Sequence, residues 1–203
     1  NMTTGRTTLN NWRVYMDGYD MSGYSRSFGP LACTFDEGID DAVTLTVKAG
    51  LVGNANISLG TLNGLFDNTA TSGLHVIANT PGVNRNVMLA AGIQAAPANN
   101  DPVFCGQFNQ LGYYAEPDNN PVYASLPFGG ARSGAACLGY KPWGSLLLAP
   151  ATKTAANTAT GLDQLASSAK GGWMMYQVFA GNGTAALKIQ HASTNSDGSF
   201  SDL

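Results

Sequence analysis

The segment NWRVYMDGYDMSGYSRSFGPL, residues 11–31, holds the densest group of side chains that could do chemistry. Asp17 and Asp20 are two carboxylates close in sequence, the residue type that glycosidases use as an acid–base pair. Neither has a histidine nearby or the spacing of metal ligands, so the segment predicts no active site. Asp17-Gly18 instead predicts a hairpin turn, with Gly18 supplying a positive φ. Three tyrosines surround this turn: Tyr15, Tyr19 and Tyr24.

These tyrosines have two interpretations. Aromatic side chains beside a turn could stack on sugar rings, as in a carbohydrate-binding β-sandwich. Interfaces between proteins also use them, because tyrosine combines a large contact area with a polar tip. Since the active-site interpretation fails for this segment, Tyr15, Tyr19 and Tyr24 are candidate subunit-contact residues.

A second acidic group lies in the stretch FDEGIDDA. Its members are Asp36, Glu37, Asp40 and Asp41. A calcium loop would alternate its acids as DxDxDG, and this stretch does not. Adjacent carboxylates in a turn point apart, so a glycosidase pair is not expected either. The stretch is interpreted as a solvated acidic loop between strands.

The remaining reactive residue types are few and scattered. His75 and His191 are the only histidines, and no GxSxG, HExxH, P-loop or GxGxxG motif is present. Cys33, Cys105 and Cys137 are odd in number and far apart, so they predict buried small hydrophobes rather than a disulfide framework or a zinc site. We therefore expect no enzyme, no metal ion and no cofactor.

Composition favours a β-rich protein that assembles. Hydrophobic residues make up 44% of the 203 residues and charged residues only 11%, under half the usual ~25%. Such a low-charge surface is easier to understand if neighbours cover it, because interface cores are depleted in charge. The net charge of −3 and the scattered basic residues argue against a protein that grips nucleic-acid phosphates. No apolar run reaches 18 residues and no signal peptide is evident, so no membrane association is expected.

The elements that would position these residues are mostly strands. Alternating apolar residues predict an antiparallel meander within the first 60 residues, with turns at Asp17-Gly18, Glu37-Gly38 and Gly53-Asn54. The strands of this meander are predicted at 12–16, 31–38, 41–50 and 55–59.

Later segments continue the β pattern with brief interruptions. Leu62, Leu65 and Phe66 have helical spacing and predict a short helix or turn, and His75 falls on an apolar strand. Residues 144–172 are the most helix-compatible stretch. Further strands are predicted at 84–95, 103–117 and 120–129, a loop at 95–102, and a hairpin at 173–193. The fold class is mainly β: an antiparallel β-sandwich or barrel with one or two short helices and long loops. One β-rich domain should span residues 1–203, with the natural chain continuing beyond Leu203.

Several stretches resemble structural proteins of tailed phages. The quoted opening segment is similar to the strand and turn that begin such chains. Four further stretches are similar to later blocks of these phage proteins: GTLNGLFDNTATSGLH, DPVFCGQFNQLGYYAEP, KPWGSLLLAPATKTAANTATGLDQL and YQVFAGNGTAALKIQHASTNSDGSFSDL. The family resembled is that of the major tail tube proteins of long-tailed phages and prophages, over most of the chain. The shared motifs are structural rather than catalytic.

This resemblance implies a virion structural protein. The subunit would form hexameric rings that stack into a tube, contact other tail proteins and let genomic DNA pass transiently. It would be assembled in the host cytoplasm and reside in the phage tail. Asp36, Glu37, Asp40 and Asp41 then become candidates for the lumen or for contacts between rings, and loops 61–82 and 95–102 for arms that reach neighbours. Two alternatives are a capsid decoration or head-associated protein and a secreted carbohydrate-binding β-sandwich using Trp12, Tyr19 and Tyr24.

Overall fold

Strands dominate the chain, as its sequence predicts. The structure is a computed structural model, and it describes residues 7–40, 49–131, 142–152, 174–179, 190–191 and 201–202. The strands are β1 (Trp12–Met16), β2 (Tyr19–Asp20), β3 (Ser25–Ser27), β4 (Leu31–Asp40), β5 (Ala49–Leu59), β6 (Thr61–Leu65), β7 (Asn84–Ala91), β8 (Pro102–Gln110), β9 (Tyr114–Glu116), β10 (Tyr123–Ala131), β11 (Trp143–Ser145), β12 (Gln190–His191) and β13 (Ser201–Asp202). One α-helix, α1 (Leu74–Ala78), and a 3-10 turn at Leu9–Asn11 complete the described elements.

Eleven of these strands form one antiparallel sheet whose main path runs β2-β1-β7-β8-β10-β5-β4. The long strand β10 joins two groups of strands. Its first part, from Tyr123 to Pro127, pairs with β6, and Tyr123 to Ser125 also pair with β9. Its second part pairs with β8 and β5. The main core receives side chains from both groups, which therefore enclose it like the layers of a sandwich.

Period-two alternation explains why the β1-β7-β8 region has two buried faces. Val14 and Met16 of β1 enter the main core, and Tyr15 between them points to the opposite face. The same alternation continues in β7, where Val87 enters the main core and Met88 does not. Strands buried on both faces must be apolar at nearly every position, which is what WRVYM and NVMLAA show.

The second face is covered by parts of the chain far away in sequence. Tyr15 and Met88 form a small cluster there with Leu146, and Met175 packs against it. Residues 174–179 cross this face without joining a ladder, although a strand is predicted at 173–179. Their attachment runs through the side chain of Gln177, which binds the backbones of Gly18 and Asn86. The prediction of a strand over 174–179 is therefore wrong.

The predicted meander is also wrong in its strand order. The β1–β2 hairpin exists, but the other neighbour of β1 is β7, and β3 pairs with β6. The turns predicted at Glu37-Gly38 and Gly53-Asn54 do not form, because β4 and β5 pair on both sides of these dipeptides, with a β-bulge at Gly53-Asn54. Local turn chemistry favoured a break at each site, and long-range pairing of the two strands prevailed. The strand predicted at 41–50 lies outside the described residues except for its last two.

The one described α-helix is not where helical spacing placed it. Leu62 and Leu65 lie on strand β6, which is held between β3 and β10. The helix instead contains His75, and it forms because Leu74, Ile77 and Ala78 bury one face at i, i+3 and i+4. The predicted strands at 84–95, 103–117 and 120–129 are confirmed as β7, β8 with β9, and β10. The helix predicted within 144–172 falls mostly outside the described residues.

Candidate functional site

The outer half of the β4–β5 hairpin stands clear of the protein core. At its base, Leu31, Ile57 and Leu59 pack into or against the main core. Beyond them, residues 34–40 and 49–56, here called the hairpin extension, carry almost entirely exposed side chains wherever these are described. The hairpin therefore continues past the point at which the described part of its own subunit buries it.

A β-bulge lies at the junction between base and extension. Phe35 pairs with Ala55, and the next recorded pair is Glu37 with Val52, so β5 holds one extra residue here. Gly53 allows the strands to approach closely, because a Cβ at this position would lie 3.0 Å from the carbonyl oxygen of Asp36. The pairing then continues to Asp40 and Ala49.

The extension exposes large apolar side chains. Ile39 is 63% exposed, Leu51 55% and Val52 80%. Ile39 lies on the same face of the hairpin as Val52, because Val52 is opposite Glu37 and Ile39 is two residues further along β4. Scattered apolar residues on a surface are ordinary, but a group on one projecting element marks an interaction surface.

The extension also lies at an open edge. Strand β4 ends the path of the main sheet, and no described strand pairs with its outer edge. A ten-residue edge strand presents unpaired backbone donors and acceptors, which natural proteins usually shorten, charge or cover. An open edge beside exposed apolar side chains suits β-pairing or docking with another chain.

Two of the four predicted acidic site residues have described side chains on this extension. Asp36 and Glu37 are both exposed and alternate between the two faces of β4. The carboxylate of Glu37 lies over Gly50, where a Cβ would be 2.8 Å from its Oε1. Asp40 ends β4, while its side chain and all of Asp41 lie outside the described residues. The acids lie on a strand rather than the predicted loop, and a role in a lumen or between rings stays a prediction.

The three predicted contact tyrosines lie in different environments. Tyr15 is only 3% exposed, and its ring centroid lies 5.1 Å from that of Phe179. Burial, reinforced by the negative charge of Asp20, raises the pKa of Tyr15 to about 12. Tyr19 is 40% exposed, and Tyr24 is half-buried against the main core. Subunit contact stays a prediction for all three tyrosines. The side chain of Tyr15 already packs within its own subunit, because β1 directs it toward the second cluster.

The predicted Asp17-Gly18 turn is confirmed. Both acids of the opening segment, Asp17 and Asp20, accept hydrogen bonds at or beside this turn. Asp17 and Gly18 have φ values of 49° and 83°, as a tight two-residue hairpin requires. The Asp17 carboxylate accepts hydrogen bonds from the backbone of Asn86 at 2.8 Å and from Arg85 at 3.1 Å. Asp20 accepts from the backbone and hydroxyl of Ser22. Both acids therefore hold local structure together.

A groove between the first strand and the β3 region is the second notable surface. It has a volume of about 370 Å³, and three of the residues that line it are polar and uncharged. Its other lining residues are apolar or cationic: Leu9, Trp12, Val14, Phe28, Arg13 and Arg26. The rings of Trp12 and Phe28 lie 5.0 Å apart, and the Arg26 guanidinium lies 4.5 Å above the ring of Tyr123. The groove therefore offers an aromatic wall with two positive charges and no acid among the described residues of its lining.

Other reactive side chains do not form a site within the described residues. His75 shares a 3.1 Å hydrogen bond with the hydroxyl of Tyr113 and packs against Phe66, and burial raises the pKa of Tyr113. Hydrogen bonds from Thr69 lower the pKa of Asp67. No three His, Cys, Asp or Glu side chains gather there as metal ligands would, and no helix is long and apolar enough to cross a bilayer.

The predicted cysteine environments are only partly described. Cys33 is partly buried and packs against the main core, and Cys105 is partly buried against the second cluster. Cys137 lies outside the described residues. Two of the three cysteines thus pack with apolar neighbours, although neither is fully enclosed.

Comparison with known proteins adds no identification. No family model matches the chain, and no curated protein is significantly similar to it. The two surfaces that stand out, the hairpin extension and the arginine-lined groove, were not predicted from sequence. The sequence signal that could have located the hairpin extension is the apolar character of Ile39, Leu51 and Val52 near the acidic residues. No sequence signal linked Arg13 with Arg26, which are thirteen residues apart.

Proposed function

We propose that this chain is a non-enzymatic virion structural protein, the tail tube subunit whose stacked hexameric rings form a DNA-conducting tube. The observation that carries the proposal is the hairpin extension, with exposed apolar side chains at an open sheet edge. Such an edge promotes uncontrolled association in a monomer. In a closed ring, a neighbouring subunit would cover each edge and each extension.

The strength of one contact indicates how assembly should behave. Burying the exposed parts of Ile39, Leu51 and Val52 would stabilise a contact by roughly 4 kcal/mol, before the entropy cost of association. Even without that cost, about 4 kcal/mol corresponds to a dissociation constant of only about 1 mM, so a single contact is weaker than this. A ring gives every subunit two such contacts and closes on itself, which raises the effective concentration of each partner. Assembly should therefore depend steeply on protein concentration.

Charge also supports a conduit for DNA. The net charge is −3, and the exposed acid Asp36, on the opposite face of β4 from Glu37, offers no binding site for phosphates. A wall that carries acids would let DNA pass without the release of counterions that drives binding. The partners proposed are further copies of the chain and other tail proteins, with genomic DNA passing transiently, and the location proposed is the phage tail.

Negative-stain electron microscopy of the purified protein over a concentration series tests this function. The expected result is stacked rings with six-fold symmetry that form tubes above a threshold concentration. A stable monomer at the highest concentration would contradict the proposal. Binding as separate knobs on capsid shells would favour a decoration protein, and glycan binding lost on Tyr24→Ala would favour a carbohydrate-binding module.

A further inference from the structure

Two surfaces of this chain differ in charge and both carry apolar side chains. The hairpin extension is a narrow projection with exposed apolar residues and the exposed acids Asp36 and Glu37. The groove is a concave surface with aromatic walls, Arg13 and Arg26. Its volume of about 370 Å³ is within the usual range of roughly 300–1,000 Å³ for binding clefts. A projection of one sign and a groove of the other are expected to attract one another.

The positive charges of the two groove arginines are available to a binding partner. Three cationic residues have described side chains: Arg13, Arg26 and Arg85. Arg85 is paired with Asp17 at 3.1 Å, whereas neither groove arginine has an ion pair among the described residues. The Arg13 guanidinium donates to the backbone oxygens of Asn10, Trp12 and Ala95, which fix its position and leave its charge uncompensated.

Two acids lie near the groove without lining it. Asp20 is held by Ser22, whose side chain lines the groove, and the Ser22 hydroxyl lies 2.5 Å from the Asp20 carboxylate. Glu116 lines the adjoining pocket on the other side of Arg26 and hydrogen-bonds to Ser125 and Asn119. Both carboxylates accept hydrogen bonds from neutral donors and keep their negative charge, so they offset part of the positive charge of Arg13 and Arg26.

The extension cannot fill the groove of its own subunit. Phe28, in the groove wall, is separated from the start of β4 by only Gly29 and Pro30, so the groove lies at the base of the hairpin. Strand β4 then runs ten residues away from that base, about 30 Å, while held in register by β5. The end of the extension therefore lies away from the groove of its own subunit.

We propose that the groove receives the hairpin extension of a second copy of this chain. Ile39 and Val52 of one copy would lie against Trp12 and Phe28 of the next, and Glu37 would pair with Arg26. A head-to-tail arrangement of this contact produces rings or filaments, whereas a reciprocal exchange between two copies would close as a dimer. The inference rests on the proposed function, since it assigns the contact by which the subunits would join.

Exchanging the two charges tests the contact. Arg26→Glu makes the groove repel the wild-type extension, and Glu37→Arg makes the extension repel the wild-type groove. Each variant alone should need roughly tenfold or more protein for half-assembly, measured by sedimentation velocity. An equimolar mixture should assemble near the wild-type concentration, because each extension then finds a groove of opposite charge on the other variant. If the mixture assembles no better than the single variants, the pairing is wrong.

A charge-matched control separates this effect from a change in net charge. Ala151→Glu with Thr152→Glu adds two negative charges at exposed positions outside both candidate arms, the same change in net charge as Arg26→Glu. This variant should assemble like wild type. Assembly weakened as much as in Arg26→Glu would show that net charge, and not the groove, is responsible, and would overturn the inference.

Photo-crosslinking identifies the contact without relying on charge. A photoreactive amino acid replaces Ile39 in ¹⁵N-labelled protein, which is mixed with unlabelled protein, so that crosslinks between copies carry mixed isotopes. We expect mixed-isotope crosslinks to peptides that contain Trp12 or Phe28. Crosslinks confined to other regions would overturn the inference while leaving the proposed function intact. Crosslinks to the groove in small oligomers that never form tubes would support the inference and contradict the proposed function. A wild-type protein that stays monomeric would contradict both.

Discussion

At the scale of single residues, Arg85 ties three separate parts of the chain together beside the first hairpin. Its guanidinium donates to Gln110 Oε1 at 2.8 Å, to the Asp17 carboxylate at 3.1 Å and to the carbonyl of Ile77 at 3.0 Å. Gln110 is fully buried and donates in turn to the carbonyl of Ala78. The sequence predicts Asp17 as part of a hairpin turn, and in the fold its carboxylate also ties that turn to Arg85 and Asn86.

Removing this guanidinium should strongly destabilise the fold. In Arg85→Ala the amide of buried Gln110 and the Asp17 carboxylate lose their charged partner, and we expect the free energy of unfolding to fall by about 3 kcal/mol. Urea denaturation measures the change. Arg26→Ala is the control, since its exposed side chain should contribute less than about 1 kcal/mol. Similar losses in the two variants would contradict the structural role given to Arg85.

The raised pKa of Tyr15 predicts that the stability of the fold decreases at alkaline pH. Its folded-state pKa of about 12 lies above the ordinary value of 10.0, so the folded protein holds this proton more tightly than the unfolded chain does. The resulting stabilisation is complete below pH 10 and is lost as the pH rises through about 12. Wild type should therefore lose about 2 kcal/mol more than Tyr15→Phe between pH 9 and 12, measured by urea denaturation at each pH. Parallel pH profiles would contradict this prediction.

At the scale of elements, the first hairpin and segment 174–179 depend on one another. The backbone N–H of Gly18 donates to Gln177 at 2.6 Å, and the adjoining carbonyl of Val178 leaves no room for a side chain on Gly18. Phe179 covers the ring of Tyr15 nearby. A short turn thus anchors a segment more than 150 residues away, which a turn motif alone does not reveal.

Gly18→Ala should release this segment. A Cβ at Gly18 would lie 2.6 Å from the carbonyl oxygen of Val178, whereas Gly82 has nearly the same φ, 86°, and open space around it. Both alanine variants should lose about 1 kcal/mol from backbone strain, and only Gly18→Ala should lose a further 1–3 kcal/mol or so from the clash. Hydrogen exchange of residues 174–179 should accelerate in Gly18→Ala alone. Unchanged exchange in that variant would show that the segment is held elsewhere.

Strand prediction succeeded where local signals and tertiary pairing agreed. Trp12–Met16 was predicted to the residue, because an alternating apolar run ends there in an Asp-Gly turn. Strand prediction failed at Glu37-Gly38, where a similar turn dipeptide lies in the middle of β4. The difference is that nine of the ten residues of β4 have partners on β5, and this long pairing outweighs one favourable turn dipeptide.

At the scale of the whole molecule, the low charge content and the hairpin extension have one consistent explanation. Charged residues are 11% of the chain, and the longest edge strand is left uncovered by any described strand. Both features are costly in an isolated monomer and useful in an assembly whose subunits cover one another. This is why we place the function in the contacts between copies.

The extension should therefore matter for assembly and not for folding. Ile39→Ser with Val52→Ser removes two side chains that are 63% and 80% exposed, so the thermal midpoint should stay within a few degrees of wild type. Tube formation, measured by light scattering, should be lost at concentrations where wild type assembles. Ile93→Ser, at a position 59% exposed in a loop, should leave assembly unchanged. Tubes formed by the double variant would contradict a role for the extension.

The sequence by itself determined the β class, the first hairpin and most strand positions. These depend on residue alternation and on turn chemistry, which act over a few residues. The tertiary structure alone decided that β1 lies beside β7, that Tyr15 is buried while Ile39 and Val52 are exposed, and that Arg13 and Arg26 line one groove. Alternation assigns a residue to one face of a strand, but burial depends on which distant element covers that face, and no local pattern encodes that choice.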